Sequence, residues 1–266
     1  MNPLREKLKA GQVALGLNNM YPASGIVEGM CKGWDFVWVD GQHGQHSYES
    51  VLHAVQAAQG RGIAALVRVP GHEHGFLGPY ADLGPDAVMV PMVDTPEQAR
   101  RIVAGLRFPP EGERSYGGRR VIDLDGRDYF REARLLVVAQ IETQRAVEAA
   151  GEIAAVPGVD ALFFGPDDMK VRLGIEIDTP PARHAELRRA MERTAQAAQA
   201  AGKHAGCVVG DAVGLRMAVE MGYRLIAAGS DILFIRTGAA ARLKDLKAAL
   251  NDAAPEAGAP KASAVY

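Results

Sequence analysis

Apolar residues along the chain alternate between two patterns. Short, nearly continuous runs rich in Val, Ile, Leu and Phe predict strands that are buried on both faces, as in a parallel sheet. Ala-rich segments with helical periodicity separate these runs and predict helices, several of which end at Gly. The eight predicted strands are residues 13–18, 36–40, 64–69, 87–92, 135–142, 161–166, 204–209 and 224–230.

Eight alternations of strand and helix predict an α/β fold, specifically a single (β/α)8 TIM barrel. An open doubly wound sheet is disfavoured because no GxGxxG motif follows the first strand. We expect the barrel to occupy residues 1–250 and residues 251–266, rich in Ala, Pro and Gly, to form a flexible tail. The long gap at 108–134 predicts a functional segment or an arm between subunits.

Composition and charge restrict the class of partner. Of 266 residues, 48% are hydrophobic and 23% are charged, which is enough apolar surface for a full core. The formal net charge of −2, with scattered Lys and Arg, argues against a nucleic-acid partner. No signal peptide or membrane-spanning run is predicted. Two separate cysteines, Cys31 and Cys207, suit a reducing cytoplasm, so we expect a cytoplasmic protein with small-molecule partners.

In a barrel of this kind the chemistry lies at the carboxyl ends of the strands. Polar residues and candidate turn residues are found there after strands two, three, five, six and eight. They are Asp40, Gln42 and His43; Arg68; Gln140 and Glu142; Gly165, Pro166, Asp167 and Asp168; and Gly229, Ser230 and Asp231.

Two of these carboxylates come from adjacent strands. Glu142 and Asp168 together predict oxygen ligands for a hard divalent cation, best Mg²⁺ or Mn²⁺, with water and substrate oxygens completing the shell. The alternative for Glu142 alone is an acidic residue at the start of the following helix, where the helix dipole favours it. The pairing with Asp168 favours the metal.

His43 follows Asp40 by three residues, and this spacing would let the carboxylate orient the imidazole. An imidazole has an ordinary pKa near neutrality, which suits proton transfer. The alternative is a loop histidine that makes one hydrogen bond.

Arg68 lies inside an otherwise apolar strand, where an unpaired charge is costly. It therefore requires an anionic partner, either a carboxylate such as Asp82 or a substrate oxygen that gains negative charge. The histidines of GHEHG (71–75) resemble a metal cluster, but we expect a solvated loop there.

Taken together, these segments resemble the HpcH/HpaI aldolase family, the class II metal-dependent pyruvate aldolases related to 4-hydroxy-2-oxoheptanedioate aldolase. The likeness covers about residues 10–250. Its motifs are DGQH (40–43), VRVP (67–70), VPMV (90–93), RFPPEGERSYG (107–117), QIET (140–143), GVDALFFGPDDM (158–169) and AAGSD (227–231).

The resemblance implies a phosphoenolpyruvate/pyruvate-type barrel that reversibly cleaves a 4-hydroxy-2-oxo acid into pyruvate, or a related 2-oxo acid, and an aldehyde. A divalent ion (Mg²⁺, Mn²⁺ or Co²⁺) would stabilise the enolate without a Schiff-base lysine. The resemblance further implies a homohexamer, a trimer of dimers, with sites near subunit contacts. The implied metal ligands are Glu142 and Asp168.

The same resemblance implies roles for the remaining residues. His43 would be the base, Arg68 would stabilise developing charge, and Asp82 would support the basicity of His43. Asp40 is counted with this catalytic group. The 2-oxo acid would be contacted by Gln140 and by the backbone around Asp167, which includes Gly165 and Pro166.

This chain also departs from the family pattern. Gln42 replaces the usual Glu of DGEH, Asn18 stands where relatives commonly carry Trp, and Met169 and Lys170 follow GPDD. Asn18 is expected to make the aldehyde pocket more polar. Three alternatives remain open: a citrate-lyase or malyl-CoA-type barrel lyase, a phosphorylated substrate at AAGSD, and a catalytically impaired homologue that binds a 2-oxo acid.

Overall fold

A computed structural model of the protein describes residues 2–132 and 134–252. Eight parallel strands form a closed barrel in chain order, which confirms the predicted (β/α)8 fold. The strands are β1 (Ala14–Asn19), β2 (Phe36–Asp40), β3 (Ala64–Arg68), β4 (Ala87–Val90), β5 (Leu136–Ile141), β6 (Ala161–Phe164), β7 (His204–Val208) and β8 (Leu225–Ser230).

One helix precedes the first strand, further helices connect successive strands around the outside of the barrel, and a long helix follows the last strand in the sequence. They are α1 (Pro3–Lys9), α2 (Ser24–Met30), α3 (Tyr48–Gly60), α4 (His74–Asp82), α5 (Pro96–Leu106), α6 (Arg119–Asp125), α7 (Gln144–Glu148), α8 (Ala150–Ala154), α9 (Pro166–Leu173), α10 (Ala185–Ala200), α11 (Ala212–Glu220) and α12 (Asp231–Asp252). Short 3-10 turns lie at Tyr129–Arg131 and Pro181–Arg183.

Several predicted strands are too long at their carboxyl ends. β4 stops at Val90 because Pro91 has no N–H for the sheet and Met92 adopts φ 56°. β6 stops at Phe164 because Gly165 is the N-cap of α9 and Pro166 occupies its first turn. The overrun residues are therefore loop and helix-start positions, where the site is expected.

The barrel interior is filled with side chains. Trp38 and Phe163 meet edge to face, with ring centroids 5.4 Å apart. Leu4 and Leu8 of α1 belong to the same buried cluster, together with residues at the amino ends of the strands such as Ala14 and Phe36. Because α1 closes that end, a ligand reaches the interior from the carboxyl ends.

A second, larger core lies between the strands and the helices. Leu17, Val37, Val67 and Ile141 are fully buried in it and face away from the interior. The cysteines are buried and free, as expected of core residues. Among the described residues, none of the helices combines the length and the apolar character needed to cross a membrane.

The segment at 108–134 folds back on the amino ends of β4 and β5. Arg120 donates to the carbonyl of Leu83 (2.6 Å) and to Gln59 Oε1 (2.7 Å). A cavity of about 600 Å³ lies between this segment and the strand starts, lined by Asp86, Leu135 and several arginines. It is at the opposite end of the barrel from the expected site. The proposed functional or intersubunit role of the segment stays a prediction.

The chain divides into two compact units, Met1–Asp231 and Ile232–Tyr266. The first contains the whole barrel. In the second, α12 carries exposed apolar side chains, including Leu233, Leu243 and Leu246. Of the predicted tail at 251–266, residues 251 and 252 end α12 and the rest lies outside the described residues.

Candidate active site

Arg68 and Asp40 form a buried ion pair at the carboxyl ends of β2 and β3. They are register partners on neighbouring strands, and both side chains are almost fully buried. Arg68 Nε donates to Asp40 Oδ1 (2.9 Å) and Nη2 donates to Oδ2 (2.5 Å). The guanidinium also lies 4.8 Å from the ring centroid of Trp38. The partner of Arg68 is therefore Asp40, and the suggestion of Asp82 is wrong.

Asp40 also accepts hydrogen bonds from the loop that follows β2. Its Oδ1 accepts the peptide N–H groups of Gln42 (3.1 Å) and His43 (3.2 Å). Burial by itself raises the pKa of Asp40, but Arg68 and these N–H groups hold it below its ordinary value. Asp40 thus fixes the backbone of His43 rather than the imidazole, contrary to expectation. The His43 side chain is exposed.

Asp82 lies at the end of α4, which runs from the carboxyl end of β3 back towards the amino end of β4. Its carboxylate accepts a short hydrogen bond from Arg114 Nη2. Within the described chain it makes no hydrogen bond to His43. The expected support of His43 by Asp82 is therefore absent inside one subunit.

Glu142 follows β5 and is 2% exposed. Its Oε1 accepts the peptide N–H of Met92 (2.7 Å), the residue with positive φ after β4. The next helix, α7, is capped by Thr143, whose Oγ1 accepts from the N–H of Ala146 (3.0 Å). Because Thr143 supplies the cap, the capping alternative for Glu142 is not realised.

The electrostatics of Glu142 are unusual for a carboxylate. Burial raises its pKa to about 7, the nearby charge of Asp168 adds to this, and the Met92 N–H, Arg68 and Arg172 oppose it. Glu142 is buried and Asp168 is half-buried, and two such neighbouring carboxylates, which repel each other, are stabilised by a cation between them. The structure thus brings Glu142 and Asp168 together as the sequence predicts.

Asp168 lies in the first turn of α9, which begins at Pro166 after the N-cap Gly165. The first turn of a helix presents unpaired N–H groups and attracts anions. The side chain of Asp167 is 71% exposed, and its carboxylate accepts a hydrogen bond from Lys170 Nζ (2.9 Å). This carboxylate is therefore engaged with Lys170 and is not assigned as a metal ligand. Only the backbone of Asp167 can contact a ligand in the way that was expected.

Gly165 allows the side chains of Glu142 and Gln140 to approach the backbone closely. A Cβ atom there would lie 2.8 Å from Glu142 Oε2 and 2.9 Å from Gln140 Nε2. Among the described residues no group of three or more His, Cys, Asp or Glu side chains could hold a metal. Two neighbouring carboxylates nevertheless fit a Mg²⁺-type ion, which usually keeps water and substrate oxygens as its other ligands.

Gln140 links the two halves of the site. It faces the barrel interior on β5, is 3% exposed, and its Oε1 lies 3.4 Å from Arg68 Nη1. The site is thus one continuous polar layer, from Asp40 through Arg68 and Gln140 to Glu142.

The turn after β8 does not favour a phosphate. The buried carboxylate of Asp231 accepts from Asn19 Nδ2 (2.9 Å) and from the N–H groups of Met20 and Tyr21. A negative charge at this position repels a phosphate dianion. The GHEHG segment is only partly the expected loop, because residues 71–73 precede α4 and His74 begins it.

Sequence reasoning missed three contributors to the site. Met92 holds Glu142 through its backbone, which no side-chain motif can reveal. The Trp38 ring packs against the Arg68 guanidinium. The alternation of side chains along β2 could have predicted that Trp38 faces the barrel interior. Arg172, one turn after Asp168 on α9, affects the charge of Glu142.

Comparison with known proteins identifies a family that matches most of this chain. The model of the HpcH/HpaI aldolase/citrate lyase family matches residues 23–237. The chain is 38% identical over 230 residues to the hydroxypyruvate/pyruvate aldolase of Delftia acidovorans, which is 84% of each protein. It is 35% identical to a 4-hydroxy-2-oxovalerate aldolase of Novosphingobium aromaticivorans, with 90% of this chain and 92% of that protein covered.

A solved structure has the same architecture. An HpcH/HpaI aldolase/citrate lyase family protein from Burkholderia cenocepacia superposes with a TM-score of 0.85 at 30% identity, covering 93% of this chain and 100% of that one. The sequence match, the barrel and the shared structure together show that this chain belongs to the HpcH/HpaI aldolase/citrate lyase family.

Proposed function

We propose that this protein is a divalent-metal-dependent aldolase that cleaves a 4-hydroxy-2-oxo acid into a pyruvate-type 2-oxo acid and an aldehyde, and catalyses the reverse reaction. The observation that carries the proposal is the convergence of Glu142 and Asp168 beside the Arg68–Asp40 pair. The family and its named aldolase relatives support the same reaction class.

Glu142 and Asp168 would hold the ion, with Mg²⁺, Mn²⁺ or Co²⁺ as candidates. A bound divalent cation supplies Lewis-acid polarisation of the keto oxygen of the 2-oxo acid. Gly165 lets Glu142 and Gln140 pack closely against the backbone, and the free N–H groups in the first turn of α9, which include that of Asp167 but not Pro166, would bind the substrate carboxylate. Gln140 would orient the keto end through its carboxamide.

Arg68 and His43 would act on the other part of the substrate. The guanidinium, fixed by Asp40 and Trp38, would stabilise the negative charge that develops on oxygen during carbon–carbon cleavage. His43 would take the proton from the 4-hydroxyl group during cleavage and return it during condensation. Asp40 supports both by holding the Arg68 side chain and the His43 backbone.

The position of Asp82 bears on the subunit arrangement. Because α4 carries it away from its own His43, we propose that Asp82 supports a His43 of another copy of this chain, in the homohexamer implied by the family. A monomeric mass by light scattering would contradict this part of the proposal.

Release of pyruvate from a panel of 4-hydroxy-2-oxo acids tests the function. EDTA-stripped protein should be inactive, and Mg²⁺, Mn²⁺ or Co²⁺ should restore release. His43→Ala should abolish most turnover and keep metal binding. No release with any of these ions from folded protein would favour the acyl-CoA lyase or the impaired, binding-only alternative.

A further inference from the structure

The carboxamide of Asn18 is an unexplained polar group at the mouth of the barrel. Ala14 on the same strand faces the interior and Leu17 faces the outer core, so alternation along β1 turns Asn18 inward. Its Oδ1 is buried and has no hydrogen-bond partner. The Oδ1 of Asn19 is also unpaired, but Asn19 pairs in register with Val39 of the outer core, whereas Asn18 pairs with the inward-facing Trp38. An unpaired buried acceptor costs stability, and at Asn18 a ligand inside the barrel could pair it.

The end of β1 is held rigidly, which favours a recognition role. The neighbouring residue, Asn19, faces outward, and its Nδ2 donates to Asp231 Oδ2 (2.9 Å) and to the carbonyl of Tyr21 (3.1 Å). The peptide N–H of Met20 donates to the same carboxylate. Asn18 is therefore presented on a fixed backbone, although its own carboxamide makes none of these bonds.

The position of Asn18 identifies the part of the substrate that would meet it. In a closed eight-stranded barrel β1 lies opposite β5, which carries Glu142. His43, which follows β2, and Arg68, at the end of β3, lie between these two sides. A substrate chelated at Glu142 and reacting beside Arg68 thus directs its aldehyde-derived portion towards β1.

The charge around Asn18 restricts this portion further. In the first unit, residues 18–21, 208–211 and 229–231 form the ends of β1, β7 and β8 and include no Lys, Arg or His. They do include Asp211 and the buried Asp231. His46 Nε2 lies 3.2 Å from the carbonyl of Asn19, but burial lowers the pKa of His46 and disfavours its cationic form. A carboxylate at the far end of an aldehyde would therefore meet negative charge at these strand ends.

We propose that Asn18 determines specificity by accepting a hydrogen bond from a hydroxyl group of the aldehyde partner, so that the enzyme prefers neutral hydroxylated aldehydes over aliphatic or anionic ones. This inference rests on the proposed aldolase function. A second buried carboxamide oxygen without a partner, Gln42 Oε1, belongs to the loop that follows β2, the strand that pairs with β1.

Condensation of pyruvate with three aldehydes tests the inference: glyceraldehyde, propanal with the same carbon skeleton, and the anionic succinic semialdehyde. The wild-type enzyme should have its highest kcat/KM with glyceraldehyde. Asn18→Leu should lower the glyceraldehyde/propanal ratio of kcat/KM about 10-fold to 100-fold. Asn18→Asp, which keeps an acceptor oxygen, should retain most of the ratio.

The melting temperature of the ligand-free protein gives a second readout. Asn18→Leu should match or exceed the wild type in Tm, because it removes an unpaired buried acceptor. Asn19→Leu is the matched control: it removes the bond to Asp231, so it should lower Tm and keep the ratio. If Asn18→Leu does not fold, Asn18→Ala replaces it in the ratio test.

Three results would overturn the inference: an unchanged ratio in Asn18→Leu, an equal loss for both neutral aldehydes, or the same ratio change in Asn19→Leu. Failure of the proposed function is separable. A wild-type enzyme that does not exchange the C3 protons of pyruvate with any metal lacks the aldolase chemistry itself, because this exchange requires no aldehyde.

Discussion

Arg68 is clamped by Asp40 through two hydrogen bonds of 2.9 and 2.5 Å, between residues that are register partners on β3 and β2. The pair places a fixed positive charge at the barrel mouth. It also links the guanidinium to the loop of His43, because the same carboxylate accepts the His43 N–H. Charge stabilisation and base positioning thus depend on one buried aspartate.

Asp40→Asn should therefore damage both stability and activity. Removing one partner of a buried ion pair leaves an uncompensated charge and costs about 3 kcal/mol or more in unfolding free energy. Urea unfolding and pyruvate release measure the two effects. Arg100→Gln, which breaks the exposed pair with Glu97, is the control and should change stability by less than about 1 kcal/mol. Equal effects of the two variants would contradict the assigned role of Asp40.

The raised pKa of Glu142 predicts a pH-dependent stability of the metal-free protein. Burial first, then the charge of Asp168, raises this pKa from 4.5 to about 7. The folded state therefore binds the proton more tightly than the unfolded state. The associated stabilisation is complete below pH 4.5 and is lost as the pH rises to 7, amounting to at most about 3 kcal/mol.

Glu142→Gln should remove this contribution. Urea unfolding of the metal-free proteins measures the effect. The unfolding free energy of the variant minus that of the wild type should be larger at pH 8 than at pH 5.5. Glu152→Gln changes an exposed carboxylate and serves as the control. The same pH difference in both variants would refute the assignment to Glu142.

Gly165→Ala should weaken metal binding without removing a ligand. The added Cβ would lie 2.8 Å from Glu142 Oε2, so the carboxylate must move. We expect Mn²⁺ affinity, measured by calorimetry, to fall about 10-fold or more. Gly151→Ala, in open space on α8, is the matched control. Unchanged affinity in Gly165→Ala would show that Glu142 does not need its present position.

Mixing two inactive variants tests whether Asp82 acts across subunits. His43→Ala and Asp82→Ala homo-oligomers should each lose most activity, since each lacks one member of every pair. Hybrids formed by mixing and reassembly should regain activity, because some sites then combine an intact His43 with an intact Asp82 from another copy. If verified hybrids regain no activity, Asp82 does not support a His43 of another copy. The two residues would then act within one chain or independently of each other.

The fold was predictable because its signal is repeated. A continuous apolar run in the sequence predicts each buried strand, and β2 has the predicted bounds, 36–40. The errors concentrate where apolar residues continue past the strand, as at Pro91 and Met92, because hydrophobicity does not encode the turn.

The site was predictable only as far as strand ends determine it. Glu142 and Asp168 follow adjacent strands, so their convergence was readable. The partner of Arg68 was not, because the register Asp40↔Arg68 is a property of strand pairing that one sequence does not display. The position of Asp82 depends on the length and direction of α4, and the Met92 contact depends on a backbone angle.

The central claim is that two carboxylates, Glu142 and Asp168, make this barrel a metal-dependent site for 2-oxo-acid chemistry. Deuterium exchange at C3 of pyruvate, followed by NMR in D2O, tests it most directly. We predict no exchange by EDTA-stripped protein, exchange on addition of Mn²⁺ or Mg²⁺, and loss of that exchange in Glu142→Gln and Asp168→Asn. Exchange that is independent of metal, or that survives in both variants, would contradict the account.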